Sequence, residues 1–121
     1  MTEARSHAER YIAVWNEQDT ERRRDLIASS WTEDALYVDP LMRAEGRREI
    51  DGLVEAVQAR FPDFRFSLIG DPDGHGENLR FSWGLGPENG EPIVKGTDFA
   101  LLEGGRLKAV HGFLDLVPAG A

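Results

Sequence analysis

Hydrophobic residues recur at helical spacing through the first half of the chain and at strand spacing through the second. Ala8, Tyr11, Ile12 and Trp15 fall on one stripe, with Arg5, Glu9 and Arg10 largely off it. The pattern predicts a first helix that stops around Asn16 to Asp19. Asp19 can N-cap a second helix, because its carboxylate can accept from an unpaired N–H in the first turn. That helix would carry Leu26, Ile27, Ser30 and Trp31 on its apolar side. Thr32, Glu33 and Asp34 read as a turn into a short extended run, Ala35 to Val38. Asp39-Pro40 ends the run, since proline disfavours the α conformation in the residue before it. After a loop from Leu41 to Glu45, Gly46 begins a third helix with the stripe Ile50, Leu53, Val54, Val57 and Phe61, ended by Pro62.

Alternation then replaces the helical period. Phe64, Phe66 and Leu68 alternate with Arg65 and Ser67, and Leu79, Phe81, Trp83 and Leu85 alternate with Arg80, Ser82 and Gly84. Two further runs follow, Ile93 to Leu102 and Leu107 to Val117. Asp73-Gly74, Asn89-Gly90 and Gly104-Gly105 supply the turn chemistry between the four. Helices followed by a strand meander imply an α+β fold, a single domain over residues 1–121 with helices covering one face of a bent antiparallel sheet.

Composition removes several functions. With 22 Asp+Glu against 14 Lys+Arg the net charge is -8, so phosphate backbones and anionic lipid are repelled, and neither nucleic acid nor membrane is an expected partner. The run Arg22-Arg23-Arg24 lies among Asp19, Glu21 and Asp25 and reads as a solvated helix face. Cysteine is absent, which excludes thiol catalysis, disulfides and thiolate metal sites. The first 15 residues lack the apolar core of a signal peptide, and a cytoplasmic location is expected. No His, Asp and Glu spacing suggests a metal site.

Three segments, ERYIAVWNEQD, SWTEDALYVDP with the following EGRREI, and KGTDFALLEGGRLKAVHGFLD, resemble the nuclear transport factor 2-like superfamily. The similarity is to its SnoaL-like and ketosteroid isomerase-like members and tracks essentially the whole chain. It implies a cone-shaped fold of three N-terminal helices on a strongly curved antiparallel sheet, and a homodimer. Three residues match the ketosteroid isomerase-like pattern: Tyr11 in the first helix, Asp39 before Pro40, and Asp98 before Phe99. In that family the tyrosine binds the substrate oxygen, the first aspartate is the base, and the second is kept protonated by burial so that it can donate. The resemblance implies a cofactor-independent acid/base isomerase acting beside a carbonyl. A SnoaL-like polyketide cyclase or hydratase and a non-catalytic ligand-binding or dimerisation module are the alternatives.

Taken alone, Tyr11 reads as a core aromatic and Asp39 as a turn residue. Asp98 shares a strand face with Val94, Gly96 and Ala100, and burying its carboxylate there is costly unless it is protonated or paired, with Arg80 or Lys95 as the available cations. His111 shares the opposite face with Phe113 and Asp115, and a packed or interfacial role is expected for it. The pocket, for a small apolar carbonyl compound, is expected to be lined by Trp15, Met42, Phe61, Phe66, Phe81, Trp83 and Val110. Trp83 stands where the enzyme family has a smaller residue, so the pocket is expected to be short.

Overall fold

The computed structural model of the protein describes residues 3–118. Three helices, α1 (Glu3–Asn16), α2 (Thr20–Ser30) and α3 (Gly46–Arg60), alternate with and precede six strands: β1 (Trp31–Val38), β2 (Arg43–Glu45), β3 (Phe64–His75), β4 (Asn78–Pro87), β5 (Val94–Glu103) and β6 (Arg106–Leu116). The strands form one sheet in the order β2-β1-β6-β5-β4-β3. All neighbours are antiparallel except β1 and β6, which run parallel. The sheet packs one face on the helices, and the core runs along it from Ala8, Val14 and Ile27 to Val54, Ala100 and Val110. The expected α+β architecture is the one observed.

The helices end as their sequence dictates. Asp19 N-caps α2, accepting from the Arg22 backbone N–H at 2.9 Å. The polar end of α1 is tied down by its own Asn16 and by a side chain of α3. The Asn16 amide donates to the Phe66 carbonyl at 2.9 Å and accepts from the Phe66 N–H at 2.8 Å, so it pairs with β3 much as another strand would. Gln58 of α3 donates to the carbonyls of Trp15 and Glu17, both at 2.9 Å. The Gln58 bonds supply partners that a helix C-terminus cannot supply for itself.

The structure corrects the sequence reading in four places. Arg23 does not lie on a solvated face: it is buried, and its Nε donates to Asp51 Oδ1 at 2.6 Å while Nη1 reaches the Glu17 carbonyl at 3.1 Å. Trp31 starts β1 rather than ending α2, and Thr32 to Asp34 form a bulge, not a turn, because Trp31 pairs with Leu107 whereas Leu36 already pairs with Ala109. The loop after Leu41 contains the three-residue strand β2. Asp73-Gly74 lies within β3, and the reversal falls at Gly76 and Glu77; an irregularity between Ile69 and Asp73 gives the polar residues there their turn-like look. The Gly104-Gly105 turn is as expected, with both φ values positive (58° and 81°), the combination a type I′ hairpin requires.

Burying one cation inside the helical layer makes its partner indispensable. Burial alone would raise the pKa of Asp51, but hydrogen bonds from Arg23 and Arg24 outweigh it and hold the carboxyl below its ordinary value. Asp51→Ala is expected to lower stability by about 3 kcal/mol, the lower end of the scale for breaking a buried ion pair, since Glu55 remains 3.4 Å from Arg23. Urea unfolding at pH 7 measures it, and a loss within 0.5 kcal/mol, as at an ordinary surface position, would show that Arg23 does not depend on the pair.

Candidate active site

A cavity of about 130 Å³ opens between the concave sheet and the helices. Its walls are mainly aromatic and aliphatic, and they carry five of the seven expected pocket residues: Trp15, Met42, Phe61, Phe66 and Trp83. The aromatic rings hold each other in place. Trp15 packs on Tyr37 and Phe66 with centroids 5.6 and 5.4 Å apart, and Phe66 meets Trp83 at 5.4 Å. Phe81 and Val110 are fully buried outside the wall. Phe81 sits edge-on behind Tyr11 at 4.9 Å, and Val110 pairs with Tyr37 across the parallel strands.

Two glycines admit the rings and the carboxylates. Trp83 lies opposite Gly96, and its indole occupies the space of a Gly96 side chain: a Cβ there would come within 2.4 Å of the ring. Gly112 pairs with Asp98 on the neighbouring strand. A Cβ at Gly112 would stand 2.9 Å from Asp98 Oδ1, 3.2 Å from Asp39 Cβ and 3.6 Å from the Tyr37 hydroxyl. The two candidate aspartates therefore approach each other over a bare stretch of β6. Tyr11, Tyr37 and Asp39 line the cavity, and Asp98 is buried beside Tyr37 and Asp39.

Asp39 is held firmly. Its Oδ1 accepts from the backbone N–H groups of Leu41 (2.8 Å) and Met42 (2.9 Å), and its Oδ2 accepts from the Tyr37 hydroxyl at 2.6 Å. Tyr37 is the site residue that the sequence reading missed. It lies two positions before Asp39 on an extended segment, so strand alternation alone puts both on one face. Burial first, then the charges of Asp98 and Asp39, drives the Tyr37 pKa far above its ordinary value, which keeps the hydroxyl a donor. Tyr11 is raised in the same direction, chiefly by burial and then by Asp98.

Asp98 is buried, and neither carboxyl oxygen has a hydrogen-bond partner among the described residues. The cations weighed for it are not there: Arg80 pairs with Asp73 at 3.2 Å instead. Burial pushes the Asp98 pKa up to about 6. Donors of Tyr11 and Trp83, directed at it short of full hydrogen-bond geometry, oppose the rise, while the charges of Asp39 and Asp115 add to it. The expected rise is present, yet a value near 6 leaves only a minority of the carboxyls protonated at pH 7. His111 stays on the outer face, its ring stacked on Phe99 at 6.4 Å, and Asp115 accepts from Thr97. Among the described residues no group of three or more His, Asp or Glu is placed to hold a metal ion, and no helix is long and apolar enough to cross a membrane.

Residues 8–110 match the SnoaL-like domain family. The chain belongs to the SnoaL-like family. A proposed isomerase of this family from Agrobacterium tumefaciens strain C58 is 47% identical, with a TM-score of 0.90 over 95% of this chain and 99% of its own. More distant members of the same fold include a proposed ketosteroid isomerase from Kribbella flavida (19% identity, TM-score 0.71, 98% of this chain and 82% of that one). A proposed polyketide cyclase from Sinorhizobium meliloti is 16% identical, with a TM-score of 0.70 over 88% of this chain and 93% of that one. No curated protein matches the chain. The fold is shared with NTF2-like proteins, as the resemblance implied.

The burial of Asp98 has a cost that depends on pH. Its folded pKa lies above the unfolded value of 3.8, so the native state holds the proton more tightly. Native stability is therefore favoured below about pH 4, and the penalty grows as pH rises through about 6. A shift of this size corresponds to about 3 kcal/mol at full deprotonation. Asp98→Asn in this SnoaL-like protein should raise the unfolding free energy at pH 8 and change it little at pH 4. An equal effect at both pH values would mean that Asp98 is not desolvated.

Proposed function

We propose that this SnoaL-like protein is an acid/base isomerase for a small apolar carbonyl compound, with Asp39, Tyr11 and Asp98 as its catalytic residues. The observation that carries the reading is the approach of Asp39 and Asp98 over Gly112 at one end of an apolar cavity, beside two tyrosine hydroxyls. A carboxylate offers about four lone-pair positions. Three are taken on Asp39 by Tyr37, Leu41 and Met42, which leaves one for a substrate proton.

In this reading Asp39 removes a proton from the carbon next to the carbonyl. The C–H electron pair becomes a C=C bond and the carbonyl oxygen gains the negative charge. Tyr11 and protonated Asp98 donate to that oxygen as the charge develops, inside a site that excludes water. Asp39 then returns the proton to the γ-carbon, and a β,γ-unsaturated ketone leaves as its conjugated isomer. The same groups would serve a cyclase, where the enolate attacks a second carbonyl instead of being reprotonated. A binding-only role is favoured by one observation: Asp39 also caps the turn at Pro40 and Leu41, a structural task that needs no chemistry.

Conversion of cyclohex-3-enone to cyclohex-2-enone, followed by ultraviolet absorbance, tests the chemistry on a substrate of the cavity's size. Asp39→Asn should abolish turnover while tryptophan quenching still reports binding. Tyr11→Phe should slow it by about 10²-fold, the scale of one lost oxyanion donor. Because Asp98 donates only when protonated, kcat/KM should fall as pH rises through about 6, and Asp98→Asn should remove that dependence. Binding without conversion at any pH supports the carrier reading instead.

We also propose a homodimer joined through the outer face of β5 and β6. Phe99, Phe113 and Leu116 are 39, 60 and 44% exposed there and, with the half-buried Leu101, form an apolar surface. Light scattering at micromolar concentration should give twice the chain mass, and Phe113→Glu should halve it. A monomeric wild-type protein would end this part of the proposal.

A further inference from the structure

The cavity wall carries charges of both signs. One is the carboxylate of Asp39. Among the remaining wall residues Arg60 is the one cation, at the last turn of α3, on the exposed side of the cavity. Arg60 stacks its guanidinium over Phe61, 5.7 Å from the ring centroid, and Phe61 itself lines the cavity. Stacking on a flat ring restrains the side chain while leaving the N–H fork free to bind. Among the described residues no carboxylate forms an ion pair with Arg60, in a chain whose acidic residues outnumber basic ones by eight. Placement at a helix C-terminus accounts for a favourable charge there. It does not account for a guanidinium facing an apolar cavity whose wall otherwise contains no cation.

The cavity's size limits what it can hold. At about 130 Å³ it accepts roughly one six-membered ring, since an engineered cavity of about 150 Å³ holds benzene. Trp83 sets that limit from the sheet side, seated on Gly96. A ring placed against Trp15, Phe66 and Trp83 with its carbonyl toward Tyr11 shares the cavity with the exposed Arg60, which a short substituent could meet.

We propose that the substrate is a one-ring or similarly short carbonyl compound bearing an anionic group, a carboxylate in the simplest case, which Arg60 binds at the cavity mouth. This rests on the isomerase site proposed above, and it assigns Arg60 as a specificity-determining residue outside the catalytic group. The guanidinium offers two parallel N–H donors to the carboxylate. The net charge of -8 works against any anion approaching the protein, so an observed preference for an acid has to come from a local contact.

The test compares 4-oxo-4-phenylbutanoate with its primary amide, a matched pair of ketones that differ in charge. Binding is read from quenching of Trp15 and Trp83 fluorescence. The wild-type protein should bind the acid about fivefold more tightly than the amide, the scale of a partly solvated ion pair. Raising the ionic strength should shrink the preference. Arg60→Gln should reduce it to about one by weakening binding of the acid more than that of the amide. Equal affinity for acid and amide in the wild type, or a preference that survives Arg60→Gln, would overturn the assignment while leaving the carbonyl site standing. Failure of both compounds to bind, at concentrations where cyclohexenone does bind, would overturn this inference through the size limit. Failure of all three would overturn the site itself.

Discussion

Arg23 joins all three helices, and the cavity depends on that junction. Its Nε meets Asp51 of α3 at 2.6 Å, its Nη1 reaches the Glu17 carbonyl just past α1, and Arg23 itself belongs to α2. Desolvating a guanidinium is expensive, so the helices can pack only in the arrangement that returns its hydrogen bonds. Gln58, which accepts from Arg23 Nη1 at 3.2 Å, extends the same network to Trp15, and Asn16 separately ties the end of α1 to Phe66. Two walls of the pocket are thus fixed from outside by polar contacts that never enter it. A purely apolar helix layer would tolerate sliding, and Tyr11 and Trp15 would move with it.

The opposite logic governs Asp98. Arg23 is buried with its partners, whereas both oxygens of Asp98 are buried without any. Such a group weakens the fold at neutral pH and is tolerated where something other than stability selects it. The contrast between the two buried charges separates the part of the molecule that builds the container from the part that, in the proposed function, acts on its contents.

Much of this was legible in the sequence. Helical stripes at Tyr11 and Trp15 and at Ile50 and Val54 mark faces that do pack inward, and alternation around Asp98 correctly assigns its face. Reading failed where local chemistry imitates something else. Thr32 to Asp34 are polar because a bulge pushes them outward, and polar residues between apolar ones look like a turn. Asp73-Gly74 has turn composition but is held in β3 by pairing with Arg80 and Leu79. Arg23 looks like its neighbours Arg22 and Arg24, and only the position of α3 distinguishes it. Tyr37 was within reach, since Tyr37 and Asp39 share a parity that strand geometry makes meaningful. The short reach of the pocket followed from Trp83, although the glycine that seats it gave no sign in isolation.

The parallel pairing of β1 with β6 has a consequence for how the molecule folds. Leu36 to Val38 bond beside Ala109 to His111, more than 70 residues away, whereas β3 to β6 meet through local hairpins. The closure entropy of that long loop must be overcome before the contact returns any stability, so such pairings are slow. Asp39 follows β1, and Gly112 and Asp98 sit on β6 and β5. The carboxylates can approach each other only once the two ends of the chain have met. A meander that had collapsed without β1 would hold most of its hydrogen bonds and no site, so the approach of Asp39 to Gly112 distinguishes the native state from its near relatives on the way there.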